Sequence, residues 1–332
     1  MEQQTDFKNA YSLIEAAKTI AIASHIRPDG DAIGSTLALH YWLGFFGKTS
    51  HMYIDGDISQ NFSYMEGTSK IRDDEWSADE IPSYDLLIIV DANSADRLGR
   101  FKKLVETSKK ILVFDHHLDP NIDADTIVMN TSRASTGEVL FEFFKAFNIP
   151  INKSMAAALY TAISTDTGCF VFPSTTAYTH KVAAELLSIG IDFATINYYN
   201  FRMFDRSKLD AFVTALDSIE FLDEGKISLV HINHKMMSRY NFDHDEKHRI
   251  QRYAIDASGV VINLFFTEID PDVFSVSLRS HGEVNVAELA KKFGGGGHKN
   301  AAGFTKEGKY KVLLKSVLDE ARAIIPPNRE SE

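Results

Sequence analysis

Residues 19–35 read "TIAIASHIRPDGDAIGS" and run on into "TLALHYWLGFFG" (36–47). The first six residues are a short, apolar, β-rich run, and "DAIGSTLALHYWLGFFG" (31–47) reads as a buried helix. Between them stand His25, Asp29 and Asp31. A turn there needs Gly, Pro and one Asp, so the imidazole and the second carboxylate exceed what turn chemistry asks for. The arrangement recurs: "DLLIIV" (85–90) runs into Asp91, and "ILVF" (111–114) into Asp115, His116 and His117. "SHMYI" (50–54) and "TIVMN" (126–130) are further strands of the same kind. Short continuous apolar strands separated by helices predict a mainly parallel sheet covered on both faces. In such sheets ligands bind outside the carboxyl ends of the strands, which is where these polar residues fall.

Outward from that core, "TGEVLFEFFKAF", "KSMAAALYTAIS" and "TAYTHKVAAELLSIG" are helical, and Asp166 follows the second of them in "STDTGCF". The stretch 191–215 reads as a helical linker. Beyond it a second alternating region carries strands "KISLVHI" (226–232), "VVINLFF" (260–266) and "DVFSVSLRS" (272–280), then a glycine-rich loop and a closing helix, "YKVLLKSVLDEARAII". No internal repeat is present. The expected architecture is α/β throughout: a catalytic domain at 1–190, the linker, a smaller α/β domain at 216–326, a disordered tail at 327–332, and an active site in the cleft between the domains. A length of 332 residues agrees with two domains of about 150 residues each.

The net charge of −11 argues against coating long nucleic acid, which needs surplus Lys and Arg. The imbalance is uneven: residues 1–215 hold 19 Lys/Arg against 28 Asp/Glu, and residues 216–326 hold 15 against 16. An acidic half can still take an anion when divalent cations occupy its carboxylates. The polar N-terminus lacks a signal pattern, no apolar run reaches the ~18 residues of a membrane span, and the single Cys169 cannot close an internal disulfide. A cytoplasmic protein is expected.

A mixed set of His and Asp suits Mn²⁺ or a similar ion better than an all-oxygen Ca²⁺ cage or an all-sulfur Zn²⁺ site. His25, Asp29, Asp31, Asp91, His116 and Asp166 are too many for one ion with open positions. Two ions sharing a carboxylate use them sensibly, and such pairs activate a water for in-line displacement at phosphorus.

The segments "HIRPDGDAIGS", "VDANSADRLG", "FDHHLDP" and "STDTGCF" resemble, in order, the four motifs of the DHH phosphoesterase superfamily, and "FGGGGHKNAAGF" (293–304) resembles the glycine-rich signature of the DHH-associated domain. The combination is similar to the stand-alone nanoRNase/pAp phosphatase type. The resemblance implies that His25 and Asp29 ligate one Mn²⁺, that Asp91 bridges to a second, and that Asp31, His116 and Asp166 complete the second. Mg²⁺ or another divalent ion is a substitute. It implies that His117 contacts the scissile phosphate or protonates the leaving group, with Asp115 orienting the histidines, and that Arg97 pairs with phosphate or a site carboxylate. In the second domain it implies substrate binding by Gly295, Gly296, Gly297 and His298, with Arg279 for a terminal phosphate and Ser280, Lys299 or Asn300 beside it.

The function implied is release of 5′-mononucleotides from oligonucleotides of about two to five units, and of phosphate from pAp, in the manner of a ruler that reads a substrate's far end. No membrane and no long duplex are expected as partners, and a homodimer is a family-level expectation. A phosphodiesterase for linear or cyclic dinucleotides would carry similar motifs. A non-catalytic nucleotide or RNA sensor predicts a broken ligand set, whereas every ligand position here is filled. "HDEKH" (244–248) lacks the Glu that a helical zinc motif places after its first His. His231 and His234 are expected at the surface, and His40, His51, His180 and Cys169 are expected to be structural.

Overall fold

The computed structural model describes residues 2–72, 80–118, 120–240, 242 and 244–325. The tail expected to be disordered lies outside them, as do the side chains of His244 and His248. The chain divides into two compact units, Met1–Met203 and Phe204–Glu332, so the segment at 191–215 is shared between them.

The first unit runs α1 (Glu2–Ala16), β1 (Ile20–Ala23), α2 (Gly30–Phe45), β2 (Ser50–Tyr53), β3 (Ile71–Arg72), β4 (Leu86–Val90), α3 (Lys103–Thr107), β5 (Ile111–Asp115), β6 (Thr126–Met129), α4 (Thr136–Ala146), α5 (Lys153–Asp166), α6 (Ala177–Ser188) and α7 (Phe193–Asn197). Its strands form one sheet in the order β3-β2-β1-β4-β5-β6, every pair parallel. The order reverses direction between β1 and β4, and that switch point is where an open α/β sheet offers its crevice. The continuous apolar strands follow from burial on both faces. Ile20, Ile22, Ile88, Val90 and Phe114 join the core with α1, α2, α4 and α5, while Ala21, Ala23, Ile89 and Val113 pack under Leu98, Phe101 and Leu104.

Two glycines of the opening motif decide how closely α2 meets α5. A Cβ at Gly30 would lie 2.3 Å from Thr165 Oγ1, and one at Gly34 would lie 2.4 Å from the Ala158 carbonyl. Neither position tolerates a side chain, because real Cβ contacts never come that close. Gly137 of α4 is pressed against Ala162 in the same way, at 2.6 Å from its Cβ. Three helices thus converge closely, and the C-terminal end of α5, with Asp166, comes beside the N-terminal ends of α2 and α4.

The second unit runs α8 (Leu209–Asp217), β7 (Glu220–Leu222), β8 (Ile227–Ile232), α9 (His234–Tyr240), α10 (His244–Ile255), β9 (Ile262–Asp270), β10 (Val273–Ser280), α11 (Val286–Lys292), β11 (Gly296–His298), β12 (Ala301–Glu307) and α12 (Tyr310–Ile324). Its sheet is ordered β11-β12-β10-β9-β8-β7, with β8 and β9 parallel and the remaining pairs antiparallel. The glycine-rich stretch is therefore not only a loop. Gly296, Gly297 and His298 form an edge strand paired with Gly303, Ala302 and Ala301. Glycine has little strand propensity of its own, and here close packing calls for it. A Cβ at Gly295 would sit 2.2 Å from the Gly303 carbonyl, and Gly297 has φ +141°.

His231 differs from expectation. Its ring stacks on Tyr310 with centroids 3.7 Å apart, its Nε2 is buried, and burial lowers its pKa. The β8 position turns it against α12 instead of leaving it at the surface.

Candidate metal centre

β1, β4 and β5 each end in a polar residue at the same edge of the sheet, on both sides of the switch point. His25 follows β1, is 4% exposed, and its Nδ1 donates to the Ile26 carbonyl at 2.8 Å. That bond fixes the tautomer and leaves Nε2 facing Asp91 Oδ2 at 3.2 Å and Asp29 Oδ1 at 3.8 Å. Asp29 is the N-cap of α2 and accepts from the Asp31 and Ala32 amides. The loop is tied down from below: the Ile26 amide donates to the Arg97 carbonyl at 2.7 Å.

Asp91 lies one residue past β4 with φ +55°, a left-handed conformation unusual for a residue with a side chain. It is buried, and its two oxygens face different ways. Oδ2 faces His25, while Oδ1 lies 3.6 Å from His116 Nε2 and 3.5 Å from His117 Nδ1. His116 Nε2 is also 3.8 Å from Asp31 Oδ2 and 3.3 Å from Asp166 Oδ2, and its Nδ1 donates to the Arg133 carbonyl at 3.3 Å. Ligating histidines ordinarily hold their second nitrogen this way.

The geometry sorts these residues into His25, Asp29 and Asp91 on one side, and Asp31, His116 and Asp166 on the other. Asp91, His116 and His117 form a third, overlapping group. Within it His117 is set apart, because its Nδ1 donates to Asp115 Oδ1 at 2.8 Å. The same Asp115 oxygen accepts from the His116 and His117 amides at 2.7 and 3.1 Å. Asp115 is fully buried, so it orients both histidines from beneath.

The electrostatics call for a cation. Burial, reinforced by the neighbouring carboxylates of Asp31 and Asp29, pushes Asp91 up to about 8. Burial and the charges of Asp31, Asp91 and Asp29 push Asp166 to about 9. Asp166 closes α5 at the helix's negative end, which further disfavours a carboxylate there. Burial opposes the charge on His25, yet the carboxylates of Asp29 and Asp91 raise it to about 10. Without metal, protons must occupy a space whose donors, imidazole nitrogens and carboxylate oxygens, suit a divalent ion. The His117 pKa is raised first by its bond to Asp115, and the Arg97 cation opposes that rise.

Several participants are not evident in the motifs. Asp31 is clamped by the Thr136 and Gly137 amides at 2.7 and 3.0 Å and by Ser35 Oγ at 3.0 Å. The available signal was the "STGE" run, which reads as a helix start: Ser135 caps α4 by accepting from the Glu138 amide. In the "DRLG" segment, Gly99 (φ 58°, ψ −129°) is held where a Cβ would lie 2.1 Å from Asp55 Oδ2. Arg100 pairs with that same Asp55 at 2.7 Å.

The candidate residues of the second unit are gathered at one end of its sheet. Arg279, Ala301 and His298 are in register across β10, β12 and β11. Arg279 is half-buried, burial lowers its pKa, and among the described residues no carboxylate lies within ion-pair distance of it. His298 is exposed. Ser280 is committed internally, since its hydroxyl donates to the Val284 carbonyl at 2.7 Å and accepts from Asn300 at 3.0 Å. Lys299 pairs with Glu283 at 2.7 Å.

Residues 19–163 match the DHH family, N-terminal domain, and residues 243–325 match the DHHA1 domain. The chain carries a DHH-family domain followed by a DHHA1 domain and is a hydrolase acting on phosphoester bonds. Among its relatives is the bifunctional oligoribonuclease and PAP phosphatase NrnA of Thermus thermophilus, 29% identical over 309 residues that cover 91% of this chain and 90% of the relative. The probable bifunctional oligoribonuclease and PAP phosphatase NrnA of Streptococcus mutans is 27% identical, covering 90% and 93%. A solved structure, an exopolyphosphatase-related protein from Bacteroides fragilis, superposes with a TM-score of 0.86 at 25% identity, covering 96% and 95%. DHH phosphoesterases depend on metal, and the His and Asp groups here can hold one. Among the described residues no helix is long and apolar enough to cross a membrane.

Proposed function

We propose that this chain is a two-metal, Mn²⁺-preferring hydrolase that degrades oligonucleotides of about two to five units to 5′-mononucleotides and converts pAp to AMP and phosphate. The observation that carries the reading is Asp91, whose two oxygens each face a separate ligand group. Bound divalent cations would supply an activated water and neutralise charge at phosphorus. His25, Asp29 and Asp91 would hold one ion, and Asp31, His116 and Asp166 would hold the other with Asp91 shared. His117, held by Asp115, would contact the phosphate or hand a proton to the leaving oxygen. Arg97, close enough to His117 to affect its charge, would add a cation there.

In the second unit, Arg279 offers a guanidinium with no carboxylate partner among the described residues for a substrate phosphate, and the glycine edge with His298 lets a ligand approach backbone closely. The choice of short RNA and pAp rests on the names of the relatives. The test uses metal-stripped protein reloaded with Mn²⁺ against pAp, a dinucleotide, a pentanucleotide, a 24-mer and inorganic polyphosphate. Turnover of the first three, lost on chelation and in Asp91→Ala, supports the proposal. Preference for the 24-mer or for polyphosphate refutes the substrate assignment.

A further inference from the structure

Thr136 touches both halves of the acidic cluster. Its hydroxyl donates to Asp91 Oδ1 at 3.1 Å, and its amide donates to Asp31 Oδ2 at 2.7 Å. It is fully buried at the first position of α4, where the cap is already supplied by Ser135. The hydroxyl is therefore not needed for the helix, and a β-branched residue has only modest helix propensity. Asp91 sits in a left-handed conformation beyond its strand, with its amide bonded to the Phe114 carbonyl. Nothing in that backbone sets the plane of its carboxylate. The Thr136 hydroxyl engages the oxygen that faces His116, while the other oxygen lies 3.2 Å from His25 Nε2.

We propose that Thr136 is a positioning residue for metal binding: its hydroxyl holds Asp91 with one oxygen toward each ligand group, and its amide holds Asp31 in step. The proposal rests on the two-metal reading. It predicts that loss of the hydroxyl weakens both ions together, since the shared ligand is what loosens. Outer-shell partners of this kind are worth about 10- to 100-fold in metal affinity.

The test is direct Mn²⁺ binding by the full-length protein, wild type against Thr136→Val, Thr136→Ala and Thr136→Ser, with the melting of each metal-free protein measured alongside. Valine keeps the shape and the amide, alanine serves should valine disturb folding, and serine restores the hydroxyl. The expected result is at least a tenfold loss of affinity at both sites for valine and alanine, recovery in serine, and unchanged metal-free melting for any variant scored. Wild-type affinity in valine or alanine overturns the proposal. So does a well-folded serine variant that fails to recover, because packing of the methyl group would then be the cause. Failure of the wild type to bind two Mn²⁺ ions would instead remove the two-metal reading.

Discussion

The two units treat their polar residues in opposite ways. In the first, most of the carboxylates and imidazoles stand just beyond the ends of parallel strands, with Asp166 brought in by α5, and several are held by further bonds. Asp115 serves two histidines, Asp31 is clamped by two amides and a hydroxyl, and His25 and His116 each donate to a carbonyl. In the second, the candidate residues lie on β10, β12 and the edge strand β11, with His298 exposed and Arg279 half-buried and, among the described residues, without a carboxylate partner. Chemistry that depends on sub-ångström placement belongs on locked residues, whereas holding a phosphate can rely on a single cation. Under the proposed function, the difference separates a reacting centre from a grip.

That contrast can be broken by substitution. Asp91→Ala should lower kcat by well over the roughly 100-fold of an outer-shell change and remove both ions, measured by turnover and Mn²⁺ titration. Retention of one tight ion would show that Asp91 is not shared. His117→Asn should cost on the order of 10²–10⁴ in kcat with intact Mn²⁺ binding, if its task is proton transfer at the leaving oxygen. Arg279→Ala should act on the grip alone. Loss of a charge-assisted bond of about 1.5–3 kcal/mol corresponds to a KM for pAp raised about 10- to 100-fold, with metal binding unchanged.

The metal-free protein should also respond to pH. His25, Asp91 and Asp166 all have folded-state pKa values raised above their ordinary ones, to about 10, 8 and 9. Stability from a raised pKa is present below the unfolded value and lost as pH rises through the folded one. Melting temperature of the stripped protein should therefore fall as pH climbs from the unfolded values, 3.8 for the two carboxyls and 6.5 for His25, to about 10, most steeply between 6.5 and 8 where all three act, and saturating Mn²⁺ should flatten the curve. A flat profile without metal would contradict the charge crowding described for the cluster. The smallest effect belongs to Ser280→Ala, which should cost about 1 kcal/mol of stability through its bond to Val284 and leave KM unchanged.

Much of the fold could be read locally. Continuous apolar runs such as "DLLIIV" and "ILVF" mark strands buried on both faces, because each residue meets a covering layer whichever way it points. The second unit was harder. β7, β11 and β12 are short or rich in glycine and alanine, and they are strands only because a neighbour pairs with them. His231 likewise became a partly buried residue through its stack on Tyr310, a partner far along the chain.

By itself the sequence determined which residues follow which strands, and so which side chains are available at the carboxyl edge. It could not determine that β1 and β4 are neighbours, which sets His25 against Asp91. Nor could it show that Gly30, Gly34 and Gly137 let helices approach until Asp166 reaches the same place, or that Thr136 binds Asp31 across 105 positions. Strand and turn patterns arise from interactions within a few residues, whereas a site assembled from five elements depends on long-range packing that no local pattern encodes.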